Sequence, residues 1–149
     1  MTPTLPFIAT RRPQGFANGA LIGVDDARRA DTEAFIAQVY RARYDAELSR
    51  FLPHLLAFRN AAGGLQAAVG LRSGNEGALF VEQYLDMPAE AVIARRIGAP
   101  VSRDQLVEVG NFGAQTAGDA RELILHLTCW LHAAGSRWVL FAATRQLRN

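Results

Sequence analysis

Lysine is absent from the chain: all sixteen basic residues are arginine. A GC-rich genome produces such a set, so each arginine has to be judged by its position. Every cation nevertheless carries a planar fork able to grip a carboxylate or phosphate at two points. The formal net charge is only +2, and no basic run interleaved with aromatics occurs, which argues against a nucleic-acid partner. Cysteine appears once, at Cys129. An internal disulfide is therefore excluded, and a reducing compartment is the natural setting. Long hydrophobic runs are missing too: no stretch approaches the roughly 18 apolar residues of a membrane helix, so no integral membrane contact is expected. Near the start, Arg11 and Arg12 follow a short apolar patch instead of preceding a long one, the wrong order for a secretory signal. A cytoplasmic location is the resulting expectation.

What is present suits one folded domain over residues 1–149. Half the residues are hydrophobic and a fifth are charged, which is too apolar for disorder and enough to bury a core. Residues 1–18, with Phe7 and Phe16, read as a loosely held arm. Residues 20–24 form a short apolar run, a first strand. Asp31 or Thr32 can cap a helix reaching about Ser49, with Phe35, Val39, Ala42 and Ala46 as its apolar stripe. Residues 55–60 and 65–72 read as a hairpin about a glycine turn, the second arm alternating cleanly between faces. A third strand is expected over residues 79–84, completing a meander. Asp86 then caps a short helix closed by Gly98 and Pro100. A strand over 106–111, a helix over 117–134 and a last strand over 138–144 make a β-α-β unit. Ala120, Leu123, Ile124, Leu127 and Leu131 form the inner face of that helix, and Gly135 stops it.

The stretch joining strand to long helix, Glu108-Val-Gly-Asn-Phe-Gly-Ala-Gln-Thr-Ala-Gly-Asp-Ala-Arg121, carries the most chemistry. Gly110 and Gly113 are costly in an undisturbed strand and make sense at a bulge, or where a ligand nears the backbone. Residues 115–120 then supply small side chains at a helix start, where free amides and the helix dipole can hold an anion. The alternative is a plain helix start with an acidic first turn, and Asp119 would itself repel an anion. Gln115, Gly118 and Ala120 fit the pyrophosphate-loop pattern of GNAT acetyltransferases: Gln or Arg, two residues, Gly, one residue, Gly or Ala.

A wider resemblance rests on residues 40–53 (Tyr-Arg-Ala-Arg-Tyr-Asp-Ala-Glu-Leu-Ser-Arg-Phe-Leu-Pro), Gly70-Leu-Arg72, Val81-Glu-Gln-Tyr-Leu-Asp86, Val107-Glu-Val-Gly-Asn111 and Thr144-Arg-Gln-Leu-Arg-Asn149. With these blocks the chain resembles the thermostable hemolysin family, itself similar to acyl-homoserine-lactone synthases and other acetyltransferase-fold proteins. The resemblance implies an α/β, GNAT-like fold: a mixed, mostly antiparallel sheet with flanking helices and one β-α-β crossover. It also implies sequence past Asn149, so that the C-terminal part of the fold is missing here. The lactone synthases carry an arginine three residues after the strand glutamate, where this chain has Asn111, a departure that counts against their adenosylmethionine substrate.

The expected function is therefore direct acyl transfer from acetyl-CoA or another acyl-CoA to an unknown amine or similar acceptor, without a metal. Glu108 and Glu82 are the candidate general bases, each alternatively pairing with an arginine such as Arg72 or Arg103. Asn111, Phe112, Gly113, Gln115, Thr116, Ala117, Gly118, Asp119 and Ala120 are the candidate acyl-CoA contacts, and Arg72 and Tyr84 the candidate substrate contacts. The family name suggests a cytolytic protein as one alternative; a non-catalytic binding module is the other. His126, Cys129 and His132 lie three apart on the long helix, and successive three-residue steps fan them out rather than converging them on a metal. Leu125 and Cys129, opposite the helix's core face, together with the terminal strand edge, lead to the expectation of a homodimer.

Overall fold

The computed structural model describes residues 16–141. Strands β1 (Asn18–Ile22), β2 (His54–Arg59), β3 (Leu65–Ser73), β4 (Leu106–Ala114) and β5 (Trp138–Leu140) form one sheet in the order β1-β2-β3-β4-β5. The first three pairings are antiparallel and β4–β5 is parallel. Helix α1 (Arg29–Tyr44) follows β1. Helix α2 (Ala89–Ile97) lies in the excursion between β3 and β4, and α3 (Ala117–Ala133) connects β4 to β5. The expected mixed, mostly antiparallel α/β sheet with one crossover is what forms.

Both faces of the sheet are covered. Strand alternation sends Leu56, Phe58, Val69, Leu71 and Val107 to one side, where they pack with Leu123, Leu127 and Leu131 of α3. It sends Leu55, Ala57 and Ala68 to the other, against Ile36 of α1. On that second side, Leu79 and Ala89 meet Leu106, with Trp138 and Leu140 of β5 alongside. The long excursion between β3 and β4 is thus a cover over the β4–β5 end of the sheet.

Several expectations need correction. Residues 79–84 do not form a strand; Phe80–Tyr84 is a 3-10 turn. Its β-branched and aromatic composition suggested a pleated ladder, but the amides of Phe80 and Val81 are taken by the carboxylate of Glu108. Helix α1 ends at Tyr44 with Asp45 in the left-handed region. Of the expected stripe, Phe35 packs on the core and Val39 lies over Gly113, while Ala42 is exposed and Ala46 lies past the helix end; the buried residues of α1 are Arg29, Thr32 and Ile36. Two of those three are polar and satisfied by backbone: Arg29 donates to the carbonyls of Leu52 and Pro53, and Thr32 to that of Arg28. An apolar-only pattern cannot find such a face.

Asp86 is not the cap of α2, whose first amide, Ala89 N–H, donates to Glu82 instead. On α3, Ile124 is exposed and His126 takes its place on the inner face. The loose arm lies mostly outside the described residues, yet its end is firmly held: Phe16 is buried and stacks on Phe58 at 5.0 Å. The last strand spans Trp138–Leu140, and residues 142–144 of the expected strand lie outside the described residues. Leu125 and Cys129 are exposed as expected from the helical wheel.

Candidate functional site

The candidate site is organised by β4, whose two halves differ. Its first half, Leu106 to Glu108, is flanked by β3 on one side and by β5 on the other. Glu108 is only 3% exposed. One carboxylate oxygen accepts the Phe80 amide and the other the Val81 amide, both at 2.9 Å. Two charge-assisted bonds to a turn's N-terminal amides keep this buried carboxylate satisfied and anchor the cover to the sheet. Arg72 is the register partner of Glu108 across the β3–β4 ladder, yet it makes no ion pair among the described residues. Its Nη1 donates to the Ala78 carbonyl at 3.1 Å.

Glu82 is bound still more tightly. Arg103 donates to both its oxygens, from Nη1 at 2.9 Å and from Nη2 at 2.5 Å, and the amides of Leu79 and Ala89 add two further bonds. The Arg103 guanidinium, assisted by those two amides and opposed by burial, holds the Glu82 carboxyl down to about 2. Arg103 also reaches Glu90 and the carbonyls of Gly74 and Gly77. Of the arginine partners weighed for Glu82, the structure selects Arg103 and not Arg72. Glu82 and Arg103 form the knot that closes the excursion.

The second half of β4 has another character. Among the described residues no strand pairs with residues 109–114 on the side away from β3. The ladder to β3 slips here: Gly113 faces Ala68 and Gly110 faces Gly70, so β4 carries one extra residue. That bulge was legible in the glycines, and its pivot is Asn111, with φ at 50°. The Asn111 side chain accepts the Leu52 amide at 2.8 Å and donates to the Arg50 carbonyl at 3.1 Å. Leu52 then lies over the bare backbone. A Cβ on Gly70 would meet Asn111 Oδ1 at 2.7 Å and Leu52 Cβ at 3.0 Å, and one on Gly110 would meet Leu52 Cδ1 at 3.2 Å. Gly113 makes room for α1, with Ile36 and Val39 close above it. On this face, then, the glycines admit the protein's own chain. Sequence reasoning missed Leu52, whose only signal was its place in the block at residues 40–53.

Where β4 passes into α3 the chain is exposed from Gln115 to Gly118. Thr116 is the N-cap and accepts the Asp119 amide at 3.0 Å. The amides of Ala117 and Gly118 have no acceptor among the described residues. A Cβ on Gly118 would approach nothing closer than Thr116 Oγ1 at 3.6 Å. Gln115 is tied down: its side chain donates to the Leu65 carbonyl, and its own carbonyl accepts from Arg43. Asp119 turns inward with the buried face of α3.

The family model for thermostable hemolysin matches residues 22–149, everything from the end of β1 onward. The chain belongs to the thermostable hemolysin family. No curated protein and no solved structure matches it significantly. In this family member, then, the Glu108 clamp, the Glu82–Arg103 knot, the bulge and the start of α3 all fall inside the family's own span.

The remaining candidates lie apart from β4. Tyr84 stands on the surface, 69% exposed, with its ring edge-on to Phe80 at 5.9 Å. His126 is buried beside Phe16 and Phe58, and burial pushes its imidazole down, whereas Cys129 and His132 are exposed. The three side chains do not converge. No helix among the described residues is long and apolar enough to cross a membrane.

Proposed function

We propose that this thermostable hemolysin family protein transfers an acyl group directly from an acyl-CoA thioester to an amine-type acceptor. One observation carries the reading: the bulged β4, unpaired beyond Glu108 on its β5 side among the described residues, runs straight into an exposed helix start whose first two amides have no acceptor among them. In this reading the pantetheine arm lies along residues 109–114, within reach of Asn111, Phe112 and Gly113. The pyrophosphate meets the amides of Ala117 and Gly118, flanked by Gln115, Thr116 and Ala120. Asp119 lies in the first turn of α3 and on its buried face.

The chemistry balances without a cofactor. The acceptor nitrogen attacks the thioester carbonyl, a C–N bond forms, the C–S bond breaks, and CoA leaves as the thiolate that takes up a proton. The nitrogen's surplus proton passes to a carboxylate. Glu108 is the carboxylate assigned that duty, because the Arg103 pair leaves Glu82 far too acidic for it. Each Glu108 oxygen accepts one amide and keeps a second lone pair. Arg72, with most of its guanidinium unpaired among the described residues, is the acceptor-side cation.

The test is release of free CoA thiol from acyl-CoAs of graded chain length in the presence of a panel of primary amines. Acceptor-dependent thiol release that falls in the Glu108→Gln variant supports transfer. No release with any donor, alongside no calorimetric binding of CoA itself, would remove the proposal.

A further inference from the structure

A second feature lies on the cover, away from β4. Between the Phe80–Tyr84 turn and α2 there is an open depression of about 250 Å³, lined by Tyr84, Leu85, Asp86, Met87, Val92 and Arg95. Leu85, Met87 and Val92 are half-buried and make an apolar floor. Tyr84 forms a wall, its ring presented to solvent. The two charged members have opposite signs, and neither is engaged: Asp86 and Arg95 take part in no ion pair and no side-chain hydrogen bond among the described residues. Asp86 is conspicuous here, because the job its sequence position suggests, capping α2, is performed by Glu82. An exposed carboxylate is thereby left on the rim of an apolar hollow, with an unpaired guanidinium also on the rim.

We propose that this depression binds a free amino acid with an apolar side chain. The α-ammonium group would sit against Asp86, where the face of Tyr84 adds a cation–π contribution. The α-carboxylate would take the Arg95 fork in two-point fashion. The side chain would cover Leu85, Met87 and Val92. The volume of about 250 Å³ falls just below the roughly 300–1,000 Å³ of drug-sized ligand pockets, so the open depression offers a small molecule partial cover. A neutral apolar ligand would waste both charges, and an ion of one sign would leave the opposite rim charge beside it unmatched. The inference stands on these six residues and does not depend on acyl transfer.

The experiment is an amide-resolved NMR titration of the full chain with L-leucine and L-methionine, with isoamylamine and isovalerate as probes carrying only one of the two charges. Expected are saturable shifts confined to residues 84–87 and 92–95 for the amino acids, and affinities weaker by roughly tenfold for either single-charge probe. Asp86→Asn and Arg95→Gln should each weaken leucine binding by roughly three- to tenfold, since each removes one exposed charge contact. Both side chains are exposed, so a circular dichroism spectrum like the parent's is expected for both variants. Absence of saturable shifts up to the solubility limit of leucine would overturn the proposal. So would variants that bind leucine like the parent, or isoamylamine binding as tightly as leucine.

Discussion

Glu108 and Gly118 lie ten positions apart on the same strand-to-helix run, and their surroundings are opposites. Around Glu108 the carboxylates are satisfied inside the protein: that of Glu108 holds two turn amides, and that of Glu82 holds two more and Arg103. Around Gly118 two backbone amides in an exposed stretch have no acceptor among the described residues. Sequence alone marks both as unusual, a glutamate inside a strand and a glycine inside a helix. Only an account of hydrogen bonds tells which irregularity ties the cover to the sheet and which leaves donors without an acceptor among the described residues.

The largest expected effect lies at the knot. Arg103→Ala removes the cation that pairs with two carboxylates, and should lower unfolding free energy by about 2–4 kcal/mol in denaturant titration, the range for a mostly buried pair broken on one side. The same variant sharpens the pH dependence. Glu82 titrates at about 2 in the folded chain against an ordinary 4.5. Its contribution to stability is complete above about 4.5, and it disappears as pH falls through about 2. Arg103→Ala should flatten that acid limb; an unchanged limb would separate Glu82 from acid unfolding.

Next comes Gly70→Ala. The added methyl meets Asn111 Oδ1 and Leu52 Cβ inside contact distance, so a loss of about 1–3 kcal/mol is expected in the same assay. Glu108→Gln should cost a comparable 1–3 kcal/mol, because one turn amide loses its acceptor in a buried place. A Glu108→Gln protein as stable as the parent would break the contrast at its first pole. Smallest in stability is Gly118→Asp, within about 0.5 kcal/mol because the position opens to solvent, although it places a charge where phosphate is expected. Light scattering checks the expected homodimer separately: the mass of two chains supports it, and that of one chain at high concentration counts against it.

The sheet and its helices were largely legible. Period-two alternation in residues 65–72 and the Ala-Ala-Gly-Gly turn specify the β2–β3 hairpin, and the α3 stripe with Gly135 specifies the crossover helix. The misses share one cause. Residues 79–84 look like a strand because strands and 3-10 turns can hold the same side chains; what decides is a carboxylate 27 and 28 positions away taking the turn's amides. Phe35 and Val39 of α1 were read correctly as facing inward, but Arg29 and Thr32 were missed because they are satisfied by carbonyls that only the folded chain brings near. At the site, the bulge could be read from Gly110 and Gly113, but Leu52 could not be read as the group lying over Gly70 and Gly110. Long-range satisfaction of polar groups leaves little trace in local patterns.

Thermal melting of the parent and of Gly118→Asp, each with and without CoA, tests the central claim most directly. At a CoA concentration of 100 times its Kd the parent should gain about 2.7 kcal/mol, read as a raised Tm. Gly118→Asp should start from nearly the same Tm and gain nothing. A parent Tm indifferent to CoA at any concentration, or a variant that rises with it equally, would contradict the assignment of the β4–α3 junction as the acyl-CoA site.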